Sequence, residues 1–463
     1  MEFIQSLSGR IQLALGNEET GNEVEISQEQ HSVSEKHSVV ILGHTYTYTN
    51  EEVAEGAFEY IRSWFHWDGP LPDNINKDIL SRLNFTYRTN FEPIRKQDSG
   101  PSPLNVRVVF RNNPLSTLDN VINHRDYFIT DIGWGCMIRT GQSLLGNAIQ
   151  MVKYGKDYRS ADKDTHEITE LFADNFNSPF SLHNFVTMGN KLNGISPGEW
   201  FGPATTSSCI QRLVKKHPEC GIDECIISVS SGDISRPAVE EAFKRGENNI
   251  LILLGLKLGI NSVNEQYWDD IKTILGSEFS VGIAGGRPSS SLYFIGYYDD
   301  TLLYFDPHAA QPADMEDYDS SCHTVFTGKL NFTDIDPSML IGFLITNEKE
   351  WKTFLEFVQS LKFVNILDNF YNCQEQTLSE QLIPSPVINA TQSPEALSDD
   401  DYVDVGALIG SYTDDRDAGF QDIRCKNQNI FIVNSAVENG GSEIEVEKVL
   451  VEQDTKNITT HDL

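Results

Sequence analysis

NILILLGL, residues 249–256, is an apolar run with polar residues on either side. It lacks the alternation that would leave one face wet, so it predicts a strand covered on both faces. Farther along, SLYFIGYYDDTLLYFDPH, residues 291–308, sets two aromatic-rich runs on either side of Asp299 and Asp300, the pattern of a β-hairpin. Just before it, GIAGGRPSS, residues 282–290, reads as a glycine-rich loop carrying Pro288. Beyond it, NEKEWKTFLEFVQSLKF, residues 347–363, brings Trp351, Phe354, Leu355, Val358 and Leu361 to one helical face. Strands and helices in irregular order, without a repeated βα unit, predict an α+β layered fold rather than a Rossmann sheet or a barrel.

The two ends of the chain differ from this middle. All six tryptophans lie between Trp64 and Trp351, while residues 374–463 hold 18 acidic against 5 basic residues. A stretch such as IPSPVINATQSPEALSDDD offers little to bury and much to solvate, so residues 374–463 are expected to form a disordered acidic tail. Residues 1–50, with 7 acids and 2 bases, are expected to be mostly disordered too, which leaves 51–373 as the folded domain.

A formal charge of −33 argues against nucleic acid, whose phosphates need clustered Lys and Arg, and suits a basic protein partner better. No apolar run reaches the length of a membrane span. The opening MEFIQSLSGRIQLALG spaces Ile4, Leu7, Ile11 and Leu15 like a helix, but its acids and single Arg fit neither a signal peptide nor a strongly membrane-binding face. A cytoplasmic, monomeric protein is expected. Seven scattered cysteines without a C-x-x-C pair predict neither a disulfide framework nor a zinc site, and no metal or cofactor is expected.

One of those cysteines stands apart. In DIGWGCMIRTGQSLLGNAI, residues 131–149, Cys136 follows a Gly-Trp-Gly corner and precedes Ile138, Leu145, Ile149 and Val152 at roughly helical spacing. A helix beginning there would turn its unpaired N–H groups and positive dipole end toward the thiol. That field is worth at most about 2 kcal/mol, or roughly one and a half pKa units from a start near 8.5, so a second activator is needed. A buried, inert thiol is the commoner fate of such a cysteine. Gly133 and Gly135 would allow a tight turn and leave room for a substrate backbone.

The activator can be sought among eleven histidines. In LLYFDPHAAQP, Asp306 and His308 are two apart, which on an extended strand puts both side chains on one face. Asp306 could then hold the Nδ1–H of His308 and leave Nε2 for a thiol, as a Cys-His-Asp triad requires. The competing reading is a plain solvent-facing Asp-Pro turn. His124 and His323 lack such a carboxylate behind an apolar strand.

GWGCMIRTGQ and YFDPHAAQP together resemble the autophagins, the autophagy-related cysteine proteases that process a ubiquitin-like modifier. FTYRTNF from Phe85, GEWFGP from Gly198, GGRPSSSLYFIGY from Gly285 and DPSMLIGFLI from Asp336 extend the likeness, in the family's order, across about 85–345. The resemblance implies a papain-like fold with a small added subdomain. It implies Cys136 as nucleophile, His308 as general base and acid, Asp306 as its orienter and Tyr87 as an oxyanion donor beside the Cys136 N–H. It also implies that Trp200 and the loop carrying Gly285, Gly286, Arg287 and Pro288 cover a narrow substrate channel.

The substrate class follows from the same likeness: cleavage of the modifier after its C-terminal glycine, in the precursor and in the phosphatidylethanolamine conjugate. Contact with autophagic membranes would come through that conjugate. Apart from the family, DDDYVDV in the tail spaces Tyr402 and Val405 as an aromatic-x-x-aliphatic motif able to add a strand to the modifier's sheet edge. A non-cutting adaptor and a cysteine acyltransferase are the rival classes.

Overall fold

The computed structural model describes residues 36–49, 71–103, 126–228 and 232–368, with the backbone of two short strands farther on. In chain order come the strands β1 (Lys36–Ile41) and β2 (His44–Thr49), helix α1 (Asp73–Ser81), and strands β3 (Arg88–Arg95) and β4 (Tyr127–Thr130). A helical block follows: α2 (Cys136–Tyr154), the single turn α3 (His166–Thr169), α4 (Leu182–Asn193) and α5 (Pro203–Lys216). Then come β5 (Glu224–Ile227), β6 (Asp233–Ser235), α6 (Arg236–Lys244), β7 (Ile250–Lys257), α7 (Trp268–Leu275), β8 (Ser280–Arg287), β9 (Ser290–Tyr298) and β10 (Thr301–Phe305). The remainder is β11 (Gln311–Pro312), β12 (Gly328–Asn331), β13 (Ser338–Ile345), α8 (Glu348–Val358) and β14 (Asn365–Leu367).

The central sheet runs β12-β10-β9-β8-β13-β7-β5, and the β1–β2 hairpin joins it at β9. Only β5 and β7 pair in parallel within it; β13 runs antiparallel to both β7 and β8. The apolar run at 249–256 is thus an interior strand. Its side chains alternate between two cores: Leu251 and Leu253 belong to the one that also holds residues of α2 and α5, while Ile250, Ile252 and Leu254 belong to the one that holds residues of α7 and α8. Each such buried aliphatic side chain contributes about 1.5–3 kcal/mol, which is why the run holds the sheet's centre. The mixed α+β reading stands.

Several expectations need correction. Residues 36–49, assigned to the disordered N-terminal segment, form a hairpin whose Val39, Val40 and Ile41 pair with Tyr298, Tyr297 and Gly296 and are buried. Within the expected disordered tail, Phe431–Ser435 and Val446–Leu450 pair as an antiparallel ribbon. GIAGGRPSS is not a loop: Gly285, Gly286 and Arg287 are ladder residues of β8 opposite Leu292, Ser291 and Ser290, and only Pro288 and Ser289 form the connection. The expected DD-turn hairpin is β9–β10. The helix at 347–363 stops at Val358, so Leu361 is buried from a position beyond it and Leu355 is only half-buried.

The largest departure concerns α2. A one-sided apolar stripe was expected, yet every residue from Cys136 to Met151 is buried. Its polar side chains are tolerated because they bond the neighbouring chain: Ser143 Oγ accepts Phe85 N–H, Asn147 spans both main-chain groups of Leu83, and Gln142 donates to Phe180 O. The helix is a central pillar.

Candidate active site

Cys136 is the first residue of α2, and Gly135 is the half-turn before it. The corner is set by Asp131, whose main-chain carbonyl accepts the Trp134 and Gly135 N–H groups. Gly133 sits at φ +89°, in the region glycine enters without strain. Gly135 is required for a different reason than substrate clearance. A Cβ there would lie 2.4 Å from Asp131 Oδ2, so the missing side chain makes room for the protein's own carboxylate. Trp134 closes the corner, donating its indole N–H to Thr130 O at 3.1 Å and packing edge-on against Phe128.

The Asp131 carboxylate is fully buried and was not singled out in the sequence. Its Oδ2 takes Arg139 Nε at 2.7 Å, one turn past Cys136, and its Oδ1 takes the Arg88 N–H at 2.7 Å. Arg139 Nη1 also lies 2.9 Å from Asp174 Oδ1. Burial raises the Asp131 pKa, and the Arg139 guanidinium opposes that rise. This carboxylate therefore ties the cysteine's helix to the residue after Tyr87. Its only sequence trace is a lone Asp ahead of the Gly-Trp-Gly corner.

His308 lies in the turn after β10, not on the strand itself. Asp306 Oδ1 accepts the His308 main-chain N–H at 2.9 Å and meets His308 Nδ1 at 2.5 Å. An Asp-Pro-His turn thus produces the pairing expected of a strand: both the turn reading and the Asp–His contact hold. With Nδ1 engaged by Asp306, Nε2 is left for other partners and is 3.3 Å from Ser290 Oγ. His323, by contrast, is a structural residue, bonded to Thr165 Oγ1 and Leu80 O. His124 lies outside the described residues.

The two halves meet. Burial would raise the Cys136 pKa, but hydrogen bonds from His308, the Ser291 main chain and Trp200, with the nearby imidazolium charge, bring it below its usual value. Burial lowers the His308 pKa, while the Asp306 and Cys136 contacts outweigh it and hold it at about 9. These shifts favour a thiolate–imidazolium pair near neutral pH, the form in which a thiol attacks carbonyl carbon.

Around that pair, Tyr87 is buried, with its ring edge-on to His308 at 5.2 Å. Its backbone is clamped from the histidine loop: Tyr87 N–H donates to Pro307 O at 2.8 Å, and Gln311 N–H to Tyr87 O at 2.9 Å. Burial and the neighbouring Cys136 push the phenol's pKa well above its ordinary value, so it stays a neutral donor. Trp200 overhangs the thiol, its Nε1 3.3 Å from Cys136 Sγ, and leaves Cys136 only 1% exposed while remaining 38% exposed itself.

The β8–β9 hairpin forms the remaining wall. Gly286 has φ +152° and its Cβ position is filled by Ser290 O, so glycine is needed for the strands to close. Ser291 Oγ bonds Gly285 O and Thr140 Oγ1, joining the hairpin to α2. Arg287 and Pro288 stand exposed at the tip. The structure thus brings Cys136, His308, Asp306, Tyr87, Trp200 and the hairpin together, while Tyr402 and Val405 lie outside the described residues. No metal-binding cluster occurs among the described residues.

A thiol at a helix start, paired with an imidazole from the turn that follows a sheet strand, in mixed α and β layers, is the arrangement of a papain-like thiol protease. The sequence model of the Peptidase C54 catalytic domain matches residues 72–357. The chain is 50% identical to a probable cysteine protease ATG4 of Candida glabrata, over 99% of this chain and 98% of that one. It is 43% identical to the cysteine protease ATG4 of Saccharomyces cerevisiae, over 93% and 94% of the two chains, and 40% identical to a probable cysteine protease ATG4 of Coccidioides immitis, over 64% and 70%. The chain belongs to the peptidase C54, or autophagin, family of cysteine proteases.

Proposed function

We propose that this protein is a cysteine endopeptidase that cuts a ubiquitin-like autophagy modifier after its C-terminal glycine, both to mature the precursor and to release it from phosphatidylethanolamine. The observation that most supports this reading is the depth of Cys136 beneath Trp200, beside a hairpin closed on glycines. Only a slender, extended backbone fits beside a thiol so covered, and a glycine tail meets that requirement.

In the proposed reaction, Cys136 Sγ attacks the glycine carbonyl carbon, and the oxyanion is received by the Cys136 N–H and the Tyr87 hydroxyl. The C–N bond then breaks as His308 gives its Nε2 proton to the leaving amine, leaving a thioester. A water molecule passes one proton to His308 and adds to the thioester carbon, releasing the glycine carboxylate and the thiolate. Peptide amine and ethanolamine amine leave by the same steps, so one pair serves both substrates. The same reading places the protein in the cytoplasm, at membranes only through its conjugated substrate.

The test is incubation of the full chain and Cys136→Ala with a glycine-extended modifier and with its lipid conjugate on vesicles, followed by mass spectrometry. The expected product is a free glycine carboxylate, absent with Cys136→Ala. A new amide in its place would make the protein an acyltransferase, and undiminished cleavage by Cys136→Ala would remove the protease reading.

A further inference from the structure

We propose that Gln311 is a positioning residue of the catalytic pair: its side-chain amide fixes the loop that carries His308 onto the segment that carries Tyr87, and so sets where the imidazole stands relative to the Cys136 thiol. This rests on the thiolate–imidazolium pair described above and adds the residue that locates its histidine half.

The loop is held sparsely along its length. It leaves β10 at the buried Phe305, turns through Asp306, Pro307 and His308, and returns through Ala309 and Ala310, which are exposed and carry only methyl groups. The return ends in β11, two residues long, and the second of these is a proline with no N–H to donate. Main-chain bonds join the loop to Tyr87, whose N–H donates to Pro307 O and whose carbonyl accepts the Gln311 N–H, and Ala313 N–H adds one to Thr89 O at 2.8 Å. A ladder of two residues is too short to pin its register by a repeated side-chain pattern.

The Gln311 side chain supplies a further hold. Its Nε2 is 3.0 Å from Thr86 Oγ1 and 3.0 Å from Ser321 O, so both of its N–H groups are used. An amide suits this place because both facing atoms accept: a carboxylate would meet Ser321 O without a proton, and an apolar side chain would strand the two acceptors. The segment it grips is in turn fixed to α2, since Phe85 N–H donates to Ser143 Oγ at 2.9 Å and Arg88 N–H to Asp131 Oδ1 at 2.7 Å. A continuous path therefore runs from Cys136 through α2 to residues 85–88, and through Gln311 to the His308 loop. Asp306 orients the ring within the loop, whereas Gln311 locates the loop.

The chemistry depends on that location. Part of what lowers the Cys136 pKa and raises the His308 pKa is the contact between the two groups. A loop that drifts loses thiolate as well as the proton donor for the leaving amine. Such a displacement acts on the chemical step, and one of about 1 Å can cost about 10²-fold in rate.

The experiment uses the full chain with Gln311→Met, which keeps the length and removes both donors, and the matched pair Thr86→Val and Thr86→Ser. Two quantities are read: kcat and KM on a glycine-extended precursor, and the rate at which iodoacetamide alkylates Cys136 at neutral pH, followed by mass spectrometry. Gln311→Met should lower kcat about ten-fold or more with KM nearly unchanged, and slow alkylation about three- to ten-fold as thiolate is lost. Thr86→Val, which is nearly isosteric, should move both quantities in the same direction by less, and Thr86→Ser, which restores the hydroxyl, should match wild type. A Gln311→Met protein equal to wild type in both overturns the proposal. Faster alkylation also overturns it, because a merely loosened fold would uncover the thiol beneath Trp200. His308→Ala that alkylates as fast as wild type would instead remove the pair itself. Alkylation needs no substrate, so it decides Gln311 even if the precursor is left uncut, an outcome that removes only the reading of the substrate.

Discussion

Cys136 and His308 face each other across the site, yet they are held by opposite kinds of structure. The cysteine opens a helix buried on all sides and braced by the Asp131–Arg139–Asp174 ion network. The histidine rides a surface turn, with Asp306 exposed and two residues away as its orienter. The first wall is positioned by long-range packing; in the second the Asp306–His308 contact closes within two residues, and the turn is tied to the core through Pro307 O and the Tyr87 N–H. Damage to the first should therefore appear as lost stability, and damage to the second as lost chemistry in an intact fold.

Asp306→Asn strikes the exposed wall and should have the largest effect, a fall in kcat of up to about 10⁴-fold with little change in Tm, by analogy with orienting carboxylates of other triads. If Tm fell along with kcat, the turn would be structural and the contrast lost. Asp131→Ala strikes the buried wall: taking one of two carboxylates from Arg139 and the acceptor from the Arg88 N–H should cost about 3–5 kcal/mol, read from denaturant midpoints. A stable but inactive variant would instead move Asp131 to the chemistry. Tyr87→Phe joins the two walls and should lower kcat about 10²-fold with KM nearly unchanged, the signature of a lost oxyanion donor.

The smallest effect concerns pH. The His308 pKa is raised from 6.5 to about 9, so the stability it adds is complete below about 6.5 and is lost as pH rises through about 9. Cys136 is shifted the other way, below its usual value, so its contribution is present at high pH and lost as pH falls through its folded value. Activity should rise with thiolate formation and decline near pH 9 as the imidazolium deprotonates, the two steps belonging to the pair. Asp306→Asn should move the alkaline limb to lower pH, because the strongest contact raising the His308 pKa is gone. An unmoved limb, with chemistry rate-limiting, would show that Asp306 does not tune the pair.

How much of this was legible in the sequence differs along the chain. The β7 strand was readable because an unbroken apolar run has few other destinations in a folded protein. The DD hairpin was readable from turn chemistry. The glycine-rich stretch misled: glycines usually mark loops, but here Gly285 and Gly286 let β8 press against Met339 and Ser290 within the ladder. The N-terminal hairpin was missed because its charge and polar flanks resemble disorder, and its burial depends on β9, some 250 residues away.

For the site, local sequence was enough to nominate its parts. A cysteine after a Gly-Trp-Gly corner and an Asp-Pro-His turn each carry their own short-range geometry, and the family likeness named the rest. Tertiary structure alone decided how those parts face each other: that α2 is buried from Cys136 to Met151, that Gly135 is empty to admit Asp131, and that Ser290 of the β8–β9 hairpin lies 3.3 Å from Nε2 of His308. The reason is physical. Turn and helix propensities are settled within a few residues, whereas burial, ion pairing and strand register depend on segments far apart in the chain, and only the packed fold brings those together.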